Sequence, residues 1–184
     1  MLRTLPQTRD FSLAYRLAAV VVFTLLTAVS ARITIPVEPV PITLQVLIVV
    51  LSGLVLGARD GALSQLLYIG LIVLNLPVDA RMLGAAAFFS PTAGYLIGFV
   101  PAAFVTGWLI ERSQRRMVQR WLAAVVGILV IYAFGYTLLK LNTGLAWEAA
   151  WTAGVAPFIG LDLGKALLAA ALAESGRAFF MRNS

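Results

Sequence analysis

The chain has 184 residues, of which 61% are hydrophobic and 12% charged, against ~25% charged in an ordinary soluble domain, and it contains no histidine and no cysteine. Such a chain is an integral membrane protein, and at roughly 20 residues per crossing its length holds about six spans and no sizeable soluble domain. Without cysteine or histidine it cannot form disulfides, thiolate or imidazole metal sites, cysteine nucleophiles or a Ser-His-Asp triad, which excludes most familiar catalytic machinery.

Apolar runs at 13–31, 44–57, 62–76, 92–110, 121–139 and 157–172 predict an all-α fold of six transmembrane helices. They form one membrane domain over residues 1–184, entered by a short tail of about 1–12. Arg3 and Arg9 precede the first run and Arg16 lies at its start, but no small-residue cleavage site leads from it into a soluble protein, so it is expected to stay as a helix. The second and third runs are short and share the segment Gly57-Ala58-Arg59-Asp60-Gly61, which predicts a turn at the membrane surface and a compact helical hairpin. Asp60-Gly61 superficially matches a lipid phosphotransferase motif. Such a site needs several carboxylates around a metal, so the turn is the better account.

Six crossings place both termini on one side. That side collects ten basic residues, Arg3, Arg9, Arg16, Arg59, Arg112, Arg115, Arg116, Arg120, Arg177 and Arg182, and the other only Arg32, Arg81 and Lys140. The asymmetry predicts cytoplasmic termini. It also explains the net charge of +6 as a topological anchor, not as a nucleic-acid surface.

The three expected external connections carry proline, tryptophan and polar residues. In 33–43, Pro36, Pro39 and Pro41 forbid helix and favour a stiff extended segment. The segment 77–91 carries Asp79 and Arg81 and ends in Ser90-Pro91-Thr92, a helix restart. In 141–156, Trp147 and Trp151 flank Glu148 and predict a short interfacial helix or an aromatic belt.

The last apolar run contains two full charges, Asp162 and Lys165, three apart and hence on one helix face. Each costs ~2.5 to 3.5 kcal/mol near the centre of a membrane helix, so neither should face lipid. They form either an intrahelical pair that neutralises itself or part of a binding site near the outer face. With Pro157 as the helix start, the pair lies at the outer end. Gly160 and Gly164 on that helix, and Gly94 and Gly98 beside Tyr95, form strips that let a helix or a ligand approach closely. Tyr95 offers an aromatic face and one hydrogen bond, or serves as an interfacial anchor. Thr43 and Gln45 begin the second span, where Thr43 can cap the helix or face a ligand. A carboxylate, an ammonium, an amide and aromatic walls together make the composition of a ligand pocket.

The blocks Pro39-Val40-Pro41-Ile42-Thr43-Leu44-Gln45, Gly53 to Gly57, Leu74-x-Leu76-Pro77-Val78, Ser90-Pro91-Thr92-Ala93-Gly94-Tyr95-Leu96 and Asp162-x-x-Lys165 occur in one order and spacing. In these blocks the chain resembles the BioY family, biotin-specific S components of energy-coupling factor (ECF) transporters. The resemblance implies high-affinity biotin capture at the cytoplasmic membrane of a bacterium or archaeon. It further implies delivery to a transmembrane T component driven by two ATP-binding-cassette ATPases, or action as a homo-oligomer. The chain itself is then no enzyme and hydrolyses nothing, ATP is used by the partners, and biotin is cargo, not a cofactor. The implied ligand residues are Asp162, Lys165 and Tyr95, with Gln45 and Thr43 beside them, and the implied lid is 37–41. The family has a glycine-rich stretch after a phenylalanine where this chain reads Asp79 to Phe89, and Asp79 is the candidate polar contact there. Ala14-x-x-x-Ala18 has the spacing of the family's docking pattern. The alternatives are an S component for another small vitamin and a non-transport membrane subunit or channel.

Overall fold

The computed structural model describes residues 12–114 and 116–182. Arg115 and all of the expected N-terminal tail except Ser12, with Arg3 and Arg9, lie outside the described residues. The elements are α1 (Leu13–Ser30), β1 (Thr34–Ile35), β2 (Ile42–Thr43), α2 (Gln45–Val73), a 3-10 helix (Gly84–Phe89), α3 (Ala93–Glu111), α4 (Met117–Thr143), α5 (Trp147–Gly154) and α6 (Ile159–Arg182). Among the described residues four helices, α1 to α4, are long and apolar enough to cross a bilayer, and a fifth span results if α5 and α6, which meet at a 47° bend, are counted as one.

The helical run α2 folds back on itself. In a straight helix Gln45 and Tyr68 would be about 34 Å apart at ~1.5 Å per residue. Instead, the Gln45 amide nitrogen donates to the Tyr68 hydroxyl at 2.7 Å, and Gln65 Nε2 donates to Ser52 Oγ at 3.3 Å. The reversal is at Gly57, with φ 83° and ψ −176°, a backbone region that is essentially glycine-only. The sequence expectation of a hairpin therefore holds, but its turn is one residue, not the segment 57–61. Ala58, Asp60 and Gly61 are already helical, and the Ala58 N–H at the head of the second arm donates to Glu111 Oε1 at 2.9 Å. Asp60 is no turn residue. It accepts both Nε (2.9 Å) and Nη2 (2.7 Å) of Arg16, joining α1 to the hairpin.

Lipid tails are as apolar as leucine, so helices in a bilayer associate by close packing and hydrogen bonds, not by hiding apolar surface. The interfaces show it. A Cβ on Gly61 would lie 3.0 Å from Gly53 Cα, and one on Gly107 of α3 would lie 2.3 Å from the Ala58 nitrogen. The tip of the hairpin thus rests backbone to backbone on α3. The α3 glycines Gly94 and Gly98 admit Phe134, Gly135 and Ile131 of α4, so that strip serves a helix neighbour and not a ligand. Helix α1 leans on the second arm of α2 through small polar residues: Thr24 donates to the Ser64 carbonyl at 2.9 Å, and Thr27 meets the Gln65 amide at 3.3 Å. Helix α3 packs between α2 and α4, and α6 lies across α2 and α4 with Ala166, Ala169, Ala170 and Ala173 buried. By contrast, a Cβ on Gly160 or Gly164 of α6 would meet nothing within 4 Å, and both glycines are exposed. Ala14 and Ala18 of α1 are likewise exposed.

The bundle has two unlike ends. At the turn end lie Gly57, the α3–α4 connection and the pairs Arg16–Asp60 and Arg120–Glu174, the latter at 2.8 Å. Arg59, Arg112 and Arg116 belong to the same end. The opposite, loop end carries Arg32, Arg81 and Lys140. There the proline-rich segment is not a simple extended stretch. Thr34 pairs with Thr43 and Ile35 with Ile42 in a short antiparallel ladder, which makes 36–41 the tip of a β-hairpin. The Trp147–Gly154 helix forms as expected.

Replacing Gly57 with alanine puts a Cβ 2.3 Å from Glu111 Oε1, on a backbone region that L residues avoid at a cost of order 1–3 kcal/mol. Thermal unfolding followed by circular dichroism in detergent is expected to show clear destabilisation for Gly57→Ala. The same measurement on Gly70→Ala, where the new Cβ meets nothing within 4 Å, is expected to show no loss. Equal melting of the two variants would rule out Gly57 as the hairpin's hinge.

Candidate functional site

At the loop end, α3, α4 and α6 converge beneath the 36–41 tip. The cavity there has a volume of about 50 Å3, and its walls include Val40, Pro41 and Thr43, Tyr95 of α3, Tyr132 of α4, and Asp162 and Lys165 of α6. Asp162 sits in the first turn of α6, where the helix dipole favours a negative charge. Its backbone N–H donates to the Phe158 carbonyl at 2.8 Å. The side chain is nearly sealed: Asp162 is 2% exposed. Oδ1 accepts a hydrogen bond from Lys165 Nζ at 2.7 Å and Oδ2 accepts one from the Tyr132 hydroxyl at 2.6 Å. The ion pair is therefore not self-contained within α6. It is completed by a hydroxyl from another helix, and Lys165 Nζ, with a side chain 13% exposed, has three donors of which the carboxylate takes one.

Thr43 reaches the wall because the β-ladder fixes its end of the loop, and its Oγ1 also accepts the Gln45 N–H at 3.3 Å. Tyr95 reaches it because α4 has no side chain at Gly135: a Cβ there would fall 2.4 Å from the Tyr95 ring. The Tyr95 hydroxyl is committed elsewhere, donating to the Gly154 carbonyl at 2.7 Å, so the cavity sees its ring.

Two sequence candidates stand apart from this constellation. Gln45 is buried, but it does not line the cavity. Its amide donates to the Tyr68 hydroxyl, which donates on to the Val78 carbonyl at 3.1 Å, so Gln45 braces the second loop against α2. Asp79 is spent within its own loop. Its carboxylate accepts the Arg81 N–H at 3.1 Å and the Gly84 N–H at 2.9 Å, and its carbonyl accepts from Arg32. The same loop holds the β-hairpin tip, because Arg81 Nη2 donates to Glu38 Oε2 at 2.8 Å and to the Pro39 carbonyl at 2.7 Å.

Tyr132 is the residue that sequence reasoning missed. The signal was available: a tyrosine in the middle of an apolar run, not at its edge, needs a buried partner for its hydroxyl. Which partner it finds depends on the crossing of α4 and α6, and that is a tertiary fact.

A protein-family model described as the BioY family matches residues 4–182. A protein of Rhizobium etli named biotin transporter BioY is 43% identical over 177 residues, covering 91% of this chain and 92% of that protein. One of Lysinibacillus sphaericus, named probable biotin transporter BioY, is 39% identical, with 86% of this chain and 84% of that protein covered. A crystal structure described as the S-component for biotin from an ECF-type ABC transporter superposes with a TM-score of 0.83 at 22% identity, covering 95% of each chain, and shares the fold.

The buried Asp162 carboxylate depends on both its neighbours, and a hydrogen bond to a charged group contributes ~1.5–3 kcal/mol. Tyr132→Phe is accordingly expected to lower the thermal midpoint of the purified protein, and Tyr136→Phe, whose hydroxyl donates to the Trp147 carbonyl at an exposed site, to lower it less. A melting curve for Tyr132→Phe that matches the wild type would show that the hydroxyl adds nothing to the pair.

Proposed function

The chain belongs to the BioY family, and from that premise we propose that it captures biotin and passes it across the membrane as the S component of an ECF transporter. The observation that carries the reading is the Asp162–Lys165 pair, held by Tyr132 at the wall of a loop-covered cavity. A ureido ring presents N–H donors beside a carbonyl acceptor. An ionised carboxylate has about four lone-pair sites, so Asp162 can take a ureido N–H beyond the two bonds it already accepts. Lys165 has donors left for the ureido oxygen. The rings of Tyr95 and Tyr132 and the side chain of Phe158 supply apolar walls for the rest of the bicycle, and Thr43 a hydroxyl at the rim. Gln45 acts one layer behind, by positioning the loops.

A cavity of about 50 Å3 is far smaller than the ~300 Å3 of an ordinary small-molecule site, so the 36–41 tip, with Val40 and Pro41 in the wall, has to withdraw for ligand to enter. Arg81 is the latch that keeps it down. The arginine-rich turn end faces the cytoplasm by the positive-inside rule. The chain then crosses six times, the two arms of α2 counting separately, both termini are cytoplasmic, and the loop end faces outward. A T component and two ATPases supply the energy in the cytoplasmic membrane of a bacterium or archaeon.

Calorimetric titration of detergent-purified protein with biotin tests the reading. The wild type is expected to bind, while Asp162→Asn and Lys165→Met each weaken binding by about 10- to 100-fold, the equivalent of ~1.5–3 kcal/mol for a charged hydrogen bond. A folded wild type that ignores biotin but is stabilised by another vitamin would overturn it. In stopped flow, Arg81→Ala is expected to raise the association rate severalfold, because an ion pair whose Glu38 side chain is 84% exposed contributes only ~0.2–1 kcal/mol to closure.

A further inference from the structure

A second and larger hollow lies on the membrane-facing side of α4, where α5 and α6 pass over it. Its volume is about 300 Å3, and Val125, Leu129, Tyr132, Tyr136, Trp151 and Leu163 are among the residues that line it. Along α4 the groove runs from Val125 to Tyr136, about 16 Å at ~1.5 Å per residue, close to half of the ~30 Å hydrocarbon core. It therefore reaches from the loop end to the depth of the bilayer midplane, the reach of one acyl tail.

Its loop-end mouth is built differently from its floor. Tyr136 packs on Trp147 at 5.2 Å between ring centroids and meets Trp151 edge-on at 6.1 Å. One helical turn beyond Tyr136, Lys140 Nζ sits 5.3 Å over the Trp147 ring. Tryptophan, tyrosine and lysine at one level mark the headgroup zone of a bilayer. The lysine adds a positive charge where a phosphate would lie.

We propose that this groove is a specific site for one phospholipid with an anionic headgroup, its tail along α4 and its phosphate at Lys140. Tyr132 and Asp162 line this groove and also the 50 Å3 cavity, so the two sites share a wall. A tail lying in the groove supports that wall from the lipid side.

Native mass spectrometry of the full chain in detergent tests the proposal, with phosphatidylglycerol and phosphatidylcholine of identical tails as probes. One strongly retained lipid per protein is expected, with phosphatidylglycerol favoured about fivefold, the equivalent of ~1 kcal/mol for one lysine at the surface. Leu129→Trp, which fills the groove from an exposed position, is expected to cut retention about tenfold, and Ala133→Leu gives the same test with a smaller change. Lys140→Gln is expected to abolish the headgroup preference while keeping the tail. Circular dichroism and melting show that each variant is folded. A broad ladder of bound lipids, the same in the wild type and in the groove-filling variants, would mean annular contact only and would overturn the proposal.

Discussion

A carboxylate inside a membrane helix has no water to hydrate it, and the loop end of this protein is arranged around that constraint. Asp162 is placed in the first turn of α6, where the helix terminus offsets part of its charge. Lys165 follows on the same face, and Tyr132 arrives from α4 to fill the second oxygen. The arrangement needs α4 and α6 to meet at one height, so the pair fixes the register of two helices as well as the chemistry of the cavity between them. Removal of one partner from such a pair leaves a buried charge uncompensated, which is why pair and register stand or fall together.

The remaining interfaces meet the same problem of cohesion without a hydrophobic force by bringing backbones together. Gly53, Gly61 and Gly107 let the α2 hairpin and α3 touch main chain to main chain, Gly94 and Gly98 do so between α3 and α4, and Gly135 of α4 makes room for the Tyr95 ring of α3. Small hydroxyl and amide side chains then close the gaps, with Thr24, Thr27, Ser52, Ser64 and Gln65 joined in one buried set between α1 and the two arms of α2. The turn end is fastened by ions instead, since Asp60, Glu111 and Glu174 each hold an arginine or a backbone N–H. One end is thus clamped and the other is covered by loops.

The apolar runs were legible because a bilayer imposes length and hydrophobicity on them directly, and the contact of Asp162 with Lys165 because residues three apart share a helix face, while the sequence left a self-neutralising pair and a binding site both open. The hairpin was legible from its glycines, but the turn residue was not. Gly57 and Gly61 look alike in sequence, and only the packing of Gly61 on Gly53 assigns one to the reversal and the other to a helix contact. Gln45 and Asp79 illustrate the complementary limit. A polar side chain beside a site in sequence is a ligand contact or a brace according to which partner lies nearer in space. Here Tyr68 claims Gln45, while the loop's own N–H groups claim Asp79.

The Tyr95 ring occupies the space that a side chain at Gly135 would take, and its hydroxyl reaches past α4 to the Gly154 carbonyl at the end of α5. It is a detent between α3 and α4. Neither helix can slide by a turn along the other without expelling the ring from its notch, and a tilt of α5 has to break the hydroxyl's bond first. One aromatic side chain thus couples three helices, α3, α4 and α5, at the wall of the cavity.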